Sequence, residues 1–336
     1  MRFVDRERGL RILEEFWTSG ERFLIIYGRR RVGKSRLVKE FLKKLRPSDY
    51  AYLMAGRRAV RHNLRRFVRR LSSAIGVSLP DFEDFVELFR YLADILKGRR
   101  FLVVIDEFTY LVERDEGVLS DFQEIVDDIL PQTNIKIILT GSLVGMMESS
   151  VIGYRSPLYG RTSRVIRLPP LQFRHVREWF REAGCVDAFK IYAVTSGVPK
   201  YLEFFQGKSV EEEIKNNFFD NSSFLFRDAL ELLKEELRNP TNYVAILEAI
   251  ANGMTRLSEI SNYTYIEITK LPSYLRILRH LGIVRRQIPI LAPKSARRGI
   301  YIISDLYYLF WFRFVSPHYE EIENESPEDA VVDFEK

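Results

Sequence analysis

Phe23-Leu24-Ile25-Ile26-Tyr27-Gly28-Arg29-Arg30-Arg31-Val32-Gly33-Lys34-Ser35 decides the reading of this chain. A short apolar run leads into Gly-x4-Gly-Lys-Ser, and an amphipathic segment, Ser35–Leu45, leads out. A strand, a glycine-bounded loop and a helix in that order aim backbone N–H groups and the positive end of a helix dipole at bound phosphate. The candidate phosphate-binding residues are Gly28, Arg29, Arg30, Arg31, Val32, Gly33, Lys34, Ser35 and Arg36. Lys34 suits the β- and γ-phosphates, and the Ser35 hydroxyl suits Mg²⁺. The cofactors expected are therefore ATP and Mg²⁺.

Working outward, four further segments read as strands: Tyr50–Met54, Phe101–Ile105, Ile135–Thr140 and Arg164–Leu168. Phe23–Tyr27, Phe101–Ile105 and Ile135–Thr140 are continuous runs rich in Ile, Val and Leu, as in parallel strands covered on both faces. Helical patterns at Val60–Ile75, Phe82–Leu96 and Leu119–Ile129 alternate with them, which predicts an α/β domain with a parallel sheet. The strand Phe101–Ile105 runs into Asp106-Glu107. Carboxylates at the C-terminal end of such a strand lie where ligands bind in open α/β sheets. Asp106 suits a water-mediated Mg²⁺ contact and Glu107 the base for an attacking water. Thr140 and Ser142, after the next strand, suit either the γ-phosphate and water or a helix N-cap.

Pro169-Pro170 ends the alternation, and the rest reads as mostly helical up to a second break at Asn239-Pro240. Three helical segments then follow: Tyr243–Asn252, one near Leu257–Asn262, and Ile266–Leu281. Two strand-like stretches, Ile283–Gln287 and Gly299–Ile303, come after them. That order predicts a winged helix-turn-helix. The expected division is a core at 1–170, a helical lid at 171–239, a winged helix at 240–305, and an aromatic segment with a solvated, mobile acidic tail at 306–336.

The 336 residues carry a net charge of +6 and a single cysteine, Cys185. An internal disulfide is excluded, no apolar run approaches a membrane span, and a cytoplasmic setting is expected. Residues 320–336 hold eight acids and one base, which leaves +13 on the other 319 residues. Such a basic body admits a polyanion partner, and a charge-rich surface fits it equally. Arg57, Arg58, Arg61, His62, Arg65, Arg66, Arg69 and Arg70 crowd one helical segment, with 58, 62, 65 and 69 on one face. This is either a polyanion stripe or a basic face turned to acidic neighbours. In the winged-helix segment, Lys270, Arg276 and Arg279 lie on the third helix. Arg285, Arg286, Lys294, Arg297 and Arg298 lie in the wing region. They suit double-stranded DNA, and a winged helix serves equally as a protein-interaction or regulatory module.

The chain resembles the archaeal ATPase family of AAA+/STAND-type P-loop proteins. The resemblance rests on Phe3-Val4-Asp5-Arg6-Glu7, the Gly28–Ser35 loop, Ile105-Asp106-Glu107-Phe108 and Leu139-Thr140-Gly141-Ser142. It extends through Pro157-Leu158-Tyr159-Gly160-Arg161, Ser196-Gly197-Val198-Pro199-Lys200-Tyr201-Leu202 and Phe310-Trp311-Phe312-Arg313-Phe314. It implies a sheet order of 5-1-4-3-2, a helical lid and a winged helix. It places Phe3 and Arg6 near the adenine and Pro199 against the base. It makes Arg161 a γ-phosphate sensor, in cis or from a neighbouring subunit, where the residue by itself reads as well as a structural salt bridge. Ser196 stands where the family often has glycine. Longer members continue into a nuclease-like domain, and no nuclease activity is expected of this chain. The function implied is an ATP-driven switch. The alternatives are a DNA-binding regulator and an assembly scaffold with a homo-oligomeric or protein partner.

Overall fold

Five parallel strands form one sheet: β1 (Phe23–Tyr27), β2 (Tyr50–Met54), β3 (Phe101–Asp106), β4 (Ile135–Gly141) and β5 (Arg164–Arg167). Their order is β2-β3-β4-β1-β5, the 5-1-4-3-2 order expected. The description comes from a computed structural model and covers residues 4–206, 209–237, 239–289, 299–324 and 327–335. Every residue of β1, β3 and β4 is buried, whereas β2 and β5 alternate, because only edge strands expose part of each face.

The register brings the functional ends together. Ile26 pairs with Thr140, Ile105 with Leu139 and Met54 with Asp106. The segments after β1, β2, β3 and β4 therefore open on one edge of the sheet. Helices cover the sheet: α1 (Glu7–Thr18), α2 (Lys34–Leu42), α3 (Val60–Ile75), α4 (Phe85–Ile95), α5 (Thr109–Arg114) and α6 (Gly117–Glu124). α2 ends at Leu42, earlier than expected, because Lys44 and Leu45 make tighter bonds to Phe41 and Leu42. The single helix expected over Leu119–Ile129 is α6 followed by a π turn, Ile125–Ile129. Pro131, with no N–H to give, stops a regular continuation.

The chain divides into two compact units, one being Asp5–Pro169. The other takes in Val4 and continues from Pro170, with short helices and longer ones at Cys185–Thr195, Val210–Phe218 and Phe224–Glu236. Next come Thr241–Ala251, Leu257–Thr264 and Leu271–His280, followed by the antiparallel pair β6 (Val284–Gln287) and β7 (Ile300–Ile303). This is the winged-helix order. The third helix starts later than expected, at Leu271, because Pro272 is at home only in a helix's first turn. Trp311 donates through Nε1 to Phe226 O at 2.8 Å, and the Tyr307 hydroxyl donates to Leu225 O at 2.8 Å, pinning the aromatic segment inside this unit's core.

The acidic tail is corrected by the structure. Residues Glu328–Glu335 form a helix rather than a solvated tail. Ala330 is fully buried, and the Phe334 ring packs against Phe219, Phe310 and Phe314 at 5.7–6.1 Å between centroids. Ala330, Val331 and Phe334 share one helical face, so the acids turn outward while an apolar strip docks. Glu335 pairs with Lys215, and His318 lies 3.1 Å from Asp333.

Candidate nucleotide site

β1 delivers the chain to Gly28, whose N–H bonds Gly141 O across the sheet edge at 3.4 Å. A Cβ on Gly28 would sit 2.4 Å from Leu168 O, a backbone atom with no room to yield. The loop then curls through left-handed conformations at Arg31 (φ 68°) and Gly33 (φ 94°) before α2 begins at Lys34. Val32 is wholly buried and anchors the loop in the core. The Lys34 ammonium is buried and donates to Gly28 O at 2.8 Å and Arg29 O at 3.1 Å, so it lies across the loop. Arg29, Arg30, Arg31 and Arg36 are half-buried.

Arg6 braces this loop. Its Nη2 donates to Val32 O at 3.1 Å and to Pro169 O at 2.7 Å. Burial holds its pKa below the usual arginine value, with Asp5 acting in the opposite direction. The side chain is thus committed to shaping the loop backbone.

Asp106 is fully buried at the end of β3 and accepts from three hydroxyls: Ser35 at 2.7 Å, Tyr52 and Thr140. Among the described residues no lysine or arginine forms an ion pair with it. A buried carboxylate balanced only by neutral donors is costly, and a cation next to it removes that cost. The hard oxygen donors of Ser35 and Asp106 fit Mg²⁺. Among the described residues no group of three or more His, Cys, Asp or Glu side chains is placed to hold a metal ion.

Glu107 follows in a left-handed conformation (φ 58°), unusual for a residue with a side chain. The Glu107 N–H reaches Thr140 Oγ1 at 3.3 Å, and the Phe108 N–H reaches Thr140 O at 2.8 Å. The Ser142 hydroxyl donates to the Glu107 carboxylate. Thr140 and Ser142 therefore hold the carboxylate pair, and neither caps the helical turn at Val144.

Lys34, Ser35, Asp106, Glu107, Thr140 and Ser142 meet at one sheet edge. Arg161 does not join them. Ser163 N–H bonds Phe23 O and Arg164 pairs with Leu24, so Arg161 precedes β5 at the edge where β1 begins. The phosphate loop lies beyond the other end of β1, about 17 Å away along the strand. There Arg161 Nε contacts both oxygens of Asp127 at 2.8 Å. Strand direction thus excludes sensing by Arg161 within its own site. Pro199 opens the helix Pro199–Leu202 in the other unit, after a left-handed Gly197 whose Cβ would meet Leu171 O at 2.0 Å. Phe3 lies outside the described residues, as do Lys294, Arg297 and Arg298 of the wing.

Two residues of the site were not expected from sequence. Burial and the Asp106 charge push the Tyr52 pKa well above the usual tyrosine value, so its hydroxyl remains a donor. Its position two residues before the partner of Asp106 on the neighbouring strand was the available signal. Fully buried Asn63 bonds both the N–H and C=O of Gly56, at 2.9 and 3.0 Å, and fixes the turn after β2. Arg57 and Arg30 both lie over the Tyr110 ring, at 5.0 and 5.8 Å.

Gly28→Ala tests the loop's seat. The clash with Leu168 O is expected to cost about 1–3 kcal/mol. The melting temperature should fall by about 2–4 °C per kcal/mol. An unchanged melting curve would contradict the close approach.

Residues 3–205 match the family described as an ATPase domain predominantly from Archaea. An uncharacterized protein of Methanocaldococcus jannaschii is 36% identical over 325 residues, covering 96% of this chain and 70% of that protein. Among solved structures, the Walker-type ATPase of Pyrococcus abyssi superposes with a TM-score of 0.68 at 24% identity, covering 93% of this chain and 96% of that one. The ORC2 protein of Aeropyrum pernix, solved as ADPNP–ADP complexes, gives 0.57 at 14% identity, covering 96% and 95%. The two structures share the fold. The family match and the phosphate loop together define the class: the chain belongs to the family of ATPase domains found predominantly in Archaea. It is a nucleotide-binding ATPase. Among the described residues, no helix is long and apolar enough to cross a membrane.

Proposed function

We propose that the chain hydrolyses ATP with Mg²⁺ and acts as a nucleotide-driven switch. The observation that carries this reading is the buried Asp106 carboxylate, held by hydroxyl donors alone and hydrogen-bonded to Ser35 beside Glu107. In this reading Lys34 releases the loop carbonyls and reaches the β- and γ-phosphates. Ser35 and Asp106 hold the metal, which would neutralise phosphate charge when bound. Glu107, oriented by Ser142, takes the proton of the attacking water, while Thr140 fixes the carboxylate pair. Gly28, Arg29, Arg30, Arg31, Val32, Gly33 and Arg36 line the phosphates. Arg6 keeps the phosphate loop in shape, and Pro199 meets the base. Arg161 serves a neighbouring subunit's γ-phosphate in a homo-oligomer. Residues 171–239 act as the lid and 240–305 as the winged helix.

Metal dependence is the test. ATP turnover is expected to vanish in excess chelator and to return with Mg²⁺. Turnover that persists in chelator would sink the proposed role of Ser35 and Asp106.

A second reading, DNA binding by the helix Leu271–His280, is favoured by one feature. Leu271, Leu275 and Leu278 are buried, while Arg276 and Arg279 are exposed with no acid paired to either among the described residues. In that reading nucleotide serves mainly as a conformational signal.

A further inference from the structure

Between Asp49 and Asp81 the chain has no acidic residue. Helix α3 lies in that interval and carries Arg61, Arg65, Arg66, Arg69 and Arg70, all exposed. Leu64, Phe67, Val68 and Leu71 are buried on its other half. The sequence left open whether acidic neighbours face these arginines. Among the described residues no acid forms an ion pair with any of the five.

At about 100° per residue, Arg61 and Arg70 stand about 180° apart on the helix, with Arg69 and His62 between them. The exposed half of the cylinder is therefore cationic from flank to flank. A hollow lies on each side of it. One, of about 720 Å³, is lined by Arg66, Arg69 and Arg70 together with Lys39, Tyr52 and Met54. The other, of about 580 Å³, is lined by Arg65, Arg69, Ser72 and Ser78, with Asp81 the single acid. α3 is thus a basic ridge between two hollows that both contain arginine.

We propose that this ridge is a docking surface for duplex DNA, separate from the helix Leu271–His280. A helix with side chains is about 10–12 Å across, which matches a major groove about 12 Å wide. With α3 in the groove, the two phosphate backbones that border it fall into the two hollows. Arginine suits that task better than lysine, because its planar fork grips phosphate through two bonds. A lipid surface fits less well, since the exposed half offers no apolar strip between its arginines. The ridge has few rings for stacking single-stranded bases. Duplex DNA is the polyanion whose two-sided charge matches the ridge.

The test uses the full chain and fluorescence anisotropy with a labelled duplex of about 25 base pairs. The variant is Arg61→Ala/Arg65→Ala/Arg69→Ala/Arg70→Ala. Its affinity near ~0.1 M salt is expected to fall by about 30-fold or more, and the log–log salt slope should lessen by about 0.9 per phosphate contact removed. DNA-free ATP turnover and the melting curve should match the parent, since these side chains lie on the surface. Replacing the same four arginines by lysine should restore most of the slope. An Arg276→Ala/Arg279→Ala variant is measured alongside. If only that variant loses affinity, DNA belongs to the second unit and the ridge proposal is overturned. It is equally overturned if the parent binds no duplex at ~50 mM salt, or prefers single-stranded DNA or phosphatidylserine vesicles.

Discussion

Lys34→Ala should abolish nucleotide turnover and weaken ATP binding by about 10²–10³-fold. The ammonium lies across the curl of the phosphate loop, seated on Gly28 O and Arg29 O. Losing a buried, charge-assisted contact costs about 2–5 kcal/mol, and about 1.4 kcal/mol is a factor of ten. Alanine also leaves the two carbonyls without their donor, so a small drop in melting temperature accompanies the loss. Calorimetric titration with ATP and a phosphate-release assay measure the two effects separately. Parent-like affinity in this variant would remove Lys34 from the site.

Glu107→Gln should separate binding from chemistry. Glutamine keeps the size of the side chain, can still accept from Ser142, and tolerates the left-handed backbone no worse than glutamate. ATP affinity and melting temperature should therefore stay near the parent values. Turnover should fall by about 10²–10⁴-fold, the usual contribution of a positioned base. Full turnover in this variant would assign water activation to another group. A loss of affinity comparable to that of Lys34→Ala would show instead that Glu107 holds the site's structure.

Much of this was legible in the sequence because local pattern and tertiary role agree. The runs at Phe23–Tyr27, Phe101–Ile105 and Ile135–Thr140 became the three inner strands, since a strand covered on both faces must be apolar throughout. The residues that meet at their ends followed from strand direction alone. The same reasoning, applied to residues before β5, would have set Arg161 at the far edge. The tail misled because its charge was counted and its period was not: Ala330 and Phe334 repeat at helical spacing among the acids. Tyr52 was hidden for a different reason. The expected sheet order already set β2 beside β3, but which β2 side chain reaches Asp106 depends on the register of the two strands, and register is not written in chain order.

One feature of the site sets two demands against each other. Glu107 sits at φ 58°, where glycine rests at ease and a residue with a Cβ does not. The strain costs on the order of 1 kcal/mol and persists because Thr140 and its neighbours hold the backbone in place. Relaxing that turn with glycine would make the protein easier to fold and would delete its carboxylate. At this position robustness and reactivity cannot both be raised, so selection for a hardier protein and selection for a working one pull on a single codon in opposite directions.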